Sequence, residues 1–473
     1  MTTTTDTQWR ALPALLAGAV MVVLDFFIVN VALPAIAIDL HASASSLIWI
    51  VAGYGLSFAA FLILAARAGD RFGRRRVYMT GMALFTLASA ACGLAPTTST
   101  LIAARVVQGA AGAIVMPQVL AIIAVSFRDE AHARALSIYG MALGLAAIGG
   151  QVIGGALVQT DVAGLGWRAC FLINVPIGIA ALLASPRVVP ESRVASAGRL
   201  DFAGAALLAA GLAAMLIPLV EGQRYGWPLW TWSSFAAADV ILAGFVLHQR
   251  RAKRSGGEPL LDLRLLRVRA VSTGLVAQLA LACAQAAFFV YLALYLQEGR
   301  GLSPLSAGLV FTAVATGYVA ASGPAPKLVE RHGRGVVAAG GLFLAAGLGM
   351  LAIVVSVIGV TGSVVVLLPG LALAGVGIGL AYTPTTAIIM QSAGPAHGGA
   401  ASGVVATTQQ LGYALGVAIT GVIYFAHAAN GIGHAFELSL IELSALGLVL
   451  VAATRLLPGS RRHAEREVAA ATA

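Results

Sequence analysis

Long apolar runs separated by short polar breaks recur from one end of the chain to the other. Fourteen can be marked, at 11–35, 47–66, 77–95, 99–125, 134–159, 166–185, 201–221, 229–249, 270–296, 305–326, 335–358, 363–390, 399–426 and 437–457. Each is close to the ~20 residues that an α-helix needs to cross ~30 Å of hydrocarbon. Breakers divide them, such as Ala95-Pro96-Thr97 after the third run and Gly301-Leu302-Ser303-Pro304 before the tenth. The pattern predicts an all-α integral membrane protein with fourteen spans.

Composition agrees with this reading. Of 473 residues, 59% are hydrophobic and 10% are charged, with a mean hydropathy of +0.91; soluble domains average about 25% charged residues. Such a chain lacks the charge to clothe several water-facing surfaces. Its net charge of +10 does not point to nucleic acid, because the basic residues fall in short loops between apolar runs. With the amino terminus placed in the cytoplasm, 25 of the 29 Lys and Arg residues lie inside, Arg168, Arg224 and Arg300 lie outside, and only Arg105 lies within a span. That asymmetry predicts a multi-pass protein of the cytoplasmic membrane with both termini inside. Met1–Arg10 lacks the features of a cleaved signal peptide, so the first run is expected to stay as a span. The preference for Arg over Lys, with abundant Ala and Gly, fits a high-GC bacterial source. Cys92, Cys170 and Cys283 have unrelated spacings, the histidines lack metal-ligand spacing, and no Gly-x-x-x-x-Gly-Lys-Ser/Thr string occurs. No metal, cofactor or ATP site is expected, and no clustered nucleophile and base point to an enzyme.

The chain also repeats itself. Asp70-Arg71-Phe72-Gly73-Arg74 has a counterpart 260 residues later in Glu330-Arg331-His332-Gly333-Arg334, and Pro117 and Pro384 fall in the fourth and twelfth runs. Two six-helix halves, 1–185 and 270–458, with two extra helices and a basic segment at 186–269 and a cytoplasmic tail at 459–473, account for the offset. Duplicated halves are a common plan of secondary transporters, because rocking one half against the other exposes a site alternately.

Gly69-Asp70-Arg71-Phe72-Gly73-Arg74-Arg75-Arg76 resembles the signature loop of the major facilitator superfamily, with Ala66 where that family usually has Gly. Leu24-Asp25-Phe26-Phe27-Ile28-Val29-Asn30-Val31-Ala32-Leu33-Pro34 and Arg105-Val106-Val107-Gln108-Gly109 resemble first- and fourth-helix motifs of its fourteen-span drug:proton antiporter branch. So do Trp167-Arg168 with Phe171-Leu172-Ile173-Asn174-Val175-Pro176-Ile177-Gly178, and Ala401-Ser402-Gly403 with Gln409-Gln410-Leu411-Gly412. The fifth run carries a stripe of small residues, Gly140, Gly144, Ala147 and Gly155, interrupted by Gln151; such stripes let helices approach closely in lipid. Where antiporters of the superfamily have Gly-Pro-x-x-Gly-Gly, this chain reads Gly150-Gln151-Val152-Ile153-Gly154-Gly155. The missing proline removes a bend and places an amide on the close-packed face, so gating and plain packing both stay open.

Charges inside a span are costly and usually functional. Asp25 lies roughly 13 Å below the outer end of its helix and Arg105 about 9 Å down its own, at 1.5 Å per residue. The resemblance implies that both helices face a central cavity, where Asp25 would carry a proton and Arg105 would bias its ionisation. A static ion pair holding two helices is the alternative. Asp239 belongs to the extra pair, and Glu442 is read as lying nearer the outer surface, within reach of solvent. Candidate cavity residues are Asn30, Tyr54, Gln118, Gln285, Tyr291, Tyr318, Gln409, Gln410 and Tyr413. Aromatics with few fixed charges suit lipophilic substrates. The expected function is export of lipophilic drugs or antibiotics in exchange for protons. A dedicated exporter of one metabolite, an importer, and a non-transporting sensor are the rivals.

Overall fold

In the computed structural model, residues 3–193, 200–255, 263–393 and 398–456 are described; the predicted tail at 459–473 and part of the basic linker lie outside them. Every apolar run lies in helix, and no strand occurs among the described residues. The helices are α1 (Thr3–Asp39), α2 (Ala44–Phe72), α3 (Arg74–Gly93), α4 (Thr98–Ser126), α5 (Asp129–Thr160), α6 (Ala169–Leu172), α7 (Asn174–Val188), α8 (Phe202–Glu221), α9 (Leu229–Arg254), α10 (Arg269–Leu294), α11 (Pro304–Ser322), α12 (Ala325–His332), α13 (Gly335–Ile358), α14 (Leu368–Ala393), α15 (Gly398–His427) and α16 (Ile432–Leu456).

Among the described residues, thirteen helical stretches are long and apolar enough to cross a membrane. The expected span at 77–95 corresponds to α3, which is not among them. Its 20 residues open with Arg74-Arg75-Arg76 and include Thr80, Thr86 and Ser89, which dilute its hydropathy. The run at 166–185 is divided into α6 and α7 although Ile173 between them keeps helical angles (φ −58°, ψ −28°); Pro176 has no N–H to offer the carbonyl four residues back. Pro324 likewise ends the tenth run early, leaving α12 as a separate short helix. A capping box starts α4: Thr97 Oγ1 accepts from the Thr100 amide at 3.3 Å, and Thr100 Oγ1 accepts from the Thr97 amide at 3.2 Å.

The two repeat loops share a local geometry. Gly73 ends α2 with φ +104° and Gly333 ends α12 with φ +54°, each donating its amide to the carbonyl four residues back. Both angles are ones that side-chain-bearing residues rarely adopt, which accounts for the glycine in each copy.

Two compact units divide the chain. The first comprises 1–210, 252–260 and 303–308, and the second comprises 211–251, 261–302 and 309–473. Each is held by close helix contacts at small residues, the packing that lipid favours. In the first unit a Cβ at Gly109 of α4 would strike the backbone of Tyr54 in α2, and Gly150 and Gly154 of α5 lie against Leu24 and Ile28 of α1. In the second, Gly347 and Gly377 join α13 to α14, and Gly412 and Gly416 of α15 rest against Ala282 and Cys283 of α10.

Candidate functional site

The first unit encloses a polar cluster in an apolar bundle. Asp25 of α1, Arg105 and Gln108 of α4, Ser89 of α3 and Asn174 of α7 are all fully buried. Gln108 follows Arg105 by three residues and therefore shares its helix face. Asn174 is aimed inward by the start of α7.

Asp25 accepts from three donors. Arg105 Nη1 pairs with Asp25 Oδ2, Gln108 Nε2 donates to Oδ1 at 2.8 Å, and Asn174 Nδ2 donates to Oδ1 at 2.9 Å. Ser89 Oγ accepts from Gln108 at 3.1 Å and from Asn174 at 3.0 Å, and donates to the Phe171 carbonyl at 2.8 Å. Arg105 also donates to the Ile50 carbonyl at 3.1 Å and to Gln108 Oε1 at 2.8 Å. Its guanidinium carbon sits 4.3 Å from the centre of the Tyr54 ring and 5.6 Å from that of Phe171, close enough for cation–π attraction. One acid and one base thus balance, and hydrogen bonds occupy nearly every remaining polar atom. Arg105 Nη2 and Asn174 Oδ1 have no partner.

The other predicted residues have separate surroundings. Tyr54 is the floor under Arg105, and its hydroxyl donates to the Val22 carbonyl at 3.4 Å. Gln118 donates to the Ala65 carbonyl at 2.8 Å and covers Gly69, so it braces α2. In the signature loop, Arg74 donates to Asp70 Oδ1 from Nε at 3.1 Å and Nη2 at 2.8 Å, and reaches the Ala121 carbonyl at 3.4 Å. Arg71 lies over the Phe72 ring. Glu191, beyond α7, accepts from the Arg75 amide at 3.1 Å. Asn30 is buried with its carbonyl oxygen unpartnered, and both amide atoms of buried Gln151 lack a partner. Gly144 is half-buried, Gly155 lies against Pro304 and Leu305 of the same unit, and a Cβ at Gly140 would meet open space.

In the second unit, Gln285 of α10 and Gln409 and Tyr413 of α15 join Tyr382 of α14 in an uncharged hydrogen-bonded chain. Gln409 Nε2 donates to Tyr382 and, at 2.7 Å, to Tyr413, whose hydroxyl donates to Gln285 Oε1 at 3.4 Å. Tyr382, Tyr318 and Gln409 are half-buried; Gln410 Oε1 has no partner. Tyr291 is a packing residue, with its hydroxyl bound to the Val417 carbonyl at 2.7 Å and its ring 4.9 Å from that of Tyr424. The sequence reading did not single out Gln108, Ser89, Asn174 or Tyr382 as site residues. The three-residue spacing from Arg105 marks Gln108, whereas nothing local marks Ser89.

Apolar helices long enough to cross a membrane, a glycine turn repeated once in each unit and a buried acid–base pair define a polytopic membrane transporter. A model of the Major Facilitator Superfamily matches residues 15–417, and the chain belongs to that family, whose members are transporters and not enzymes. Among its relatives, a probable actinorhodin transporter of Streptomyces coelicolor is 35% identical over 96% of this chain and 79% of that protein. The tetracenomycin C resistance and export protein of Streptomyces glaucescens is 36% identical over 90% and 77%, and the multidrug resistance protein Stp of Mycobacterium tuberculosis is 32% identical over 88% and 76%. A crystal structure of the peptide transporter POT shares the fold, with a TM-score of 0.69 and 17% identity over 95% of this chain and 96% of that one.

Proposed function

We propose that the protein exports lipophilic drugs or antibiotics across the cytoplasmic membrane in exchange for protons. Relatives named as a probable actinorhodin transporter, a tetracenomycin C resistance and export protein and a multidrug resistance protein, each aligned over most of the chain, support the substrate class. The observation that carries the coupling reading is Asp25, a fully buried carboxylate held by one cation and two amides. A proton arriving on Asp25 cancels its attraction to Arg105, and the ring of Tyr54, the Ile50 carbonyl and Gln108 then hold the guanidinium alone. Loss of the proton restores the pair. Because the cluster ties α1, α4 and α7 together, its ionisation state is felt by three helices at once. The half-buried phenols and amide around Tyr382 and Gln409 offer aromatic and neutral hydrogen-bonding contacts to a lipophilic substrate.

In this reading residues 1–185 and 270–458 are the two halves and 186–269 the insert, with both termini in the cytoplasm. The direct test uses inside-out vesicles with an imposed pH gradient, acid inside, and a panel of lipophilic dyes and antibiotics that includes actinorhodin and tetracenomycin C. Gradient-driven accumulation of at least one compound, with matching collapse of the gradient on its addition, is expected. Asp25→Asn reduces both to background. Accumulation that persists without any pH gradient would overturn the proton coupling.

A further inference from the structure

Glu442 does not lie near the end of its helix. It follows Ile432 by ten residues and precedes Leu456 by fourteen, which places it roughly 15 Å and 21 Å from the two ends at 1.5 Å per residue. It is half-buried on the flank of α16, next to the exposed stripe of Ile441, Leu448 and Val449. Thr420 of α15, itself fully buried, donates its hydroxyl to Glu442 Oε2 at 2.8 Å. Among the described residues no cation is paired with Glu442.

The groups around it contribute no positive charge. Helix α16 packs against α10, α13 and α15 and against the short turns Tyr295–Gly299 and Ala428–Asn430. From α10 the nearby titratable side chains are Cys283 and Tyr291; from α15, Tyr424 follows Thr420 by one turn; α13 carries none. His427, His434, Glu437, Glu298, Tyr295 and Arg300 lie toward the ends of these elements, where His434 Nδ1 is 3.3 Å from Glu437 Oε2 and Arg300 donates to the Tyr295 hydroxyl at 2.9 Å. Asp25 has a counter-charge and two neutral donors, whereas Glu442 has one hydroxyl. A permanently ionised carboxylate at mid-span without a cation is costly. A threonine hydroxyl, however, is matched to both forms of a carboxyl: it donates to the carboxylate and, rotated, accepts from the acid.

We infer that Glu442 is a second proton-exchanging site, built in the second unit from Glu442 and Thr420 and separate from the Asp25 cluster of the first unit. Its ligand is the proton itself. Its use in the transport cycle rests on the exchange reading above, while its protonation does not.

The test needs no substrate. Infrared difference spectra of the purified full-length protein in lipid, titrated with pH, are compared for the wild type, Glu442→Gln, Glu442→Asp, Thr420→Val and Asp25→Asn. Gln keeps an acceptor for Thr420 but cannot titrate. The expected result is a protonated-carboxyl carbonyl band that is lost in Glu442→Gln, retained in Asp25→Asn, and shifted in frequency and midpoint in Thr420→Val. Should Glu442→Gln fail to fold, Glu442→Asp must show the band displaced. Spectra of Glu442→Gln that superimpose on the wild type, or no titrating band in the wild type or in Glu442→Asp, would overturn the proposal. Loss of exchange in Asp25→Asn with the Glu442 band intact leaves this site standing independently; failure of the exchange test alone leaves the infrared result untouched.

Discussion

Replacing the buried pair one member at a time, and then both together, separates its structural role from its coupling role. Asn at position 25 keeps the size of Asp25, and its amide oxygen still accepts from Gln108 and Asn174, now at 2.8 and 2.9 Å. Its NH2 group, however, faces Arg105 Nη1, donor against donor. Removing one partner of a buried ion pair costs about 3–5 kcal/mol. Arg105 keeps the Ile50 carbonyl, Gln108 Oε1 and the Tyr54 ring 4.3 Å away, so the lower end, about 3 kcal/mol, is expected for Asp25→Asn. That is roughly 150-fold in the folding equilibrium at 1.36 kcal/mol per tenfold. Arg105→Met leaves Asp25 with two neutral donors in place of a cation, and its cost falls in the same range. The double variant carries no net buried charge and regains most of the loss, because neutral replacements of buried pairs are often tolerated. Unfolding midpoints of the purified variants in detergent measure the stability cycle. Gradient-driven dye accumulation in vesicles, normalised to folded protein, measures the coupling. All three variants are expected to lack pH-driven accumulation although the double variant is stable. Wild-type coupled transport by folded Asp25→Asn, or recovery of transport together with stability in the double variant, would refute the reasoning and leave a static ion pair.

Gly109→Ala places a methyl against the rigid backbone of Tyr54 and is expected to destabilise by about 1–3 kcal/mol, whereas Gly140→Ala, with nothing within 4 Å, is neutral or mildly stabilising; thermal unfolding of both in parallel checks the contrast. Gln151→Leu removes two unpartnered buried amide atoms, so it holds or raises the unfolding midpoint, and a fall in transport despite that stability identifies the amide as a working group and not as packing. Cys92, Cys170 and Cys283 are buried and are expected to leave labelling silent, so a single added cysteine reports topology: Tyr225→Cys reacts with impermeant reagent from outside and His332→Cys only from inside. An inside signal at position 225 would remove the extra helix pair from the fourteen-span order.

The spans were legible because hydropathy is a sum over ~20 residues and tolerates local error. The signal is weaker at α3, where Arg74-Arg75-Arg76 dilutes a helix that the run at 77–95 and the repeat still place. The meeting of Asp25 and Arg105 was legible from depth, since Asp25 lies a few turns before the carboxyl end of α1 and Arg105 about two turns after the amino end of α4, ends that the span order puts on one side. Their further partners were not. Ser89 and Asn174 are ordinary polar residues on other helices, and only the packing of α3 and α7 brings Asn174 to the carboxylate and Ser89 to Asn174. Gln118 shows the opposite difficulty: a polar residue in a span reads as cavity lining, yet it closes a helix contact by reaching the Ala65 carbonyl. Glu442 was placed too shallow because the apolar run was taken to begin at 437; its helix starts at Ile432, which keeps it nearer that end but moves it about five residues deeper.

The 80-residue separation of Asp25 and Arg105 has a consequence for how the protein is made. At ~5–20 residues per second, roughly 4–16 s of synthesis pass between the two residues. During that interval α1 carries an acid without its cation, at a cost of about 2.5–3.5 kcal/mol on insertion scales. Asn174 arrives later still, 149 residues after Asp25. A nascent chain halted before α4 therefore holds α1 as a span without its charge partner, free to slip or remain at the insertion machinery. The pair then sets an order of assembly, in which α1 joins α4 first and α7 seals the cluster last.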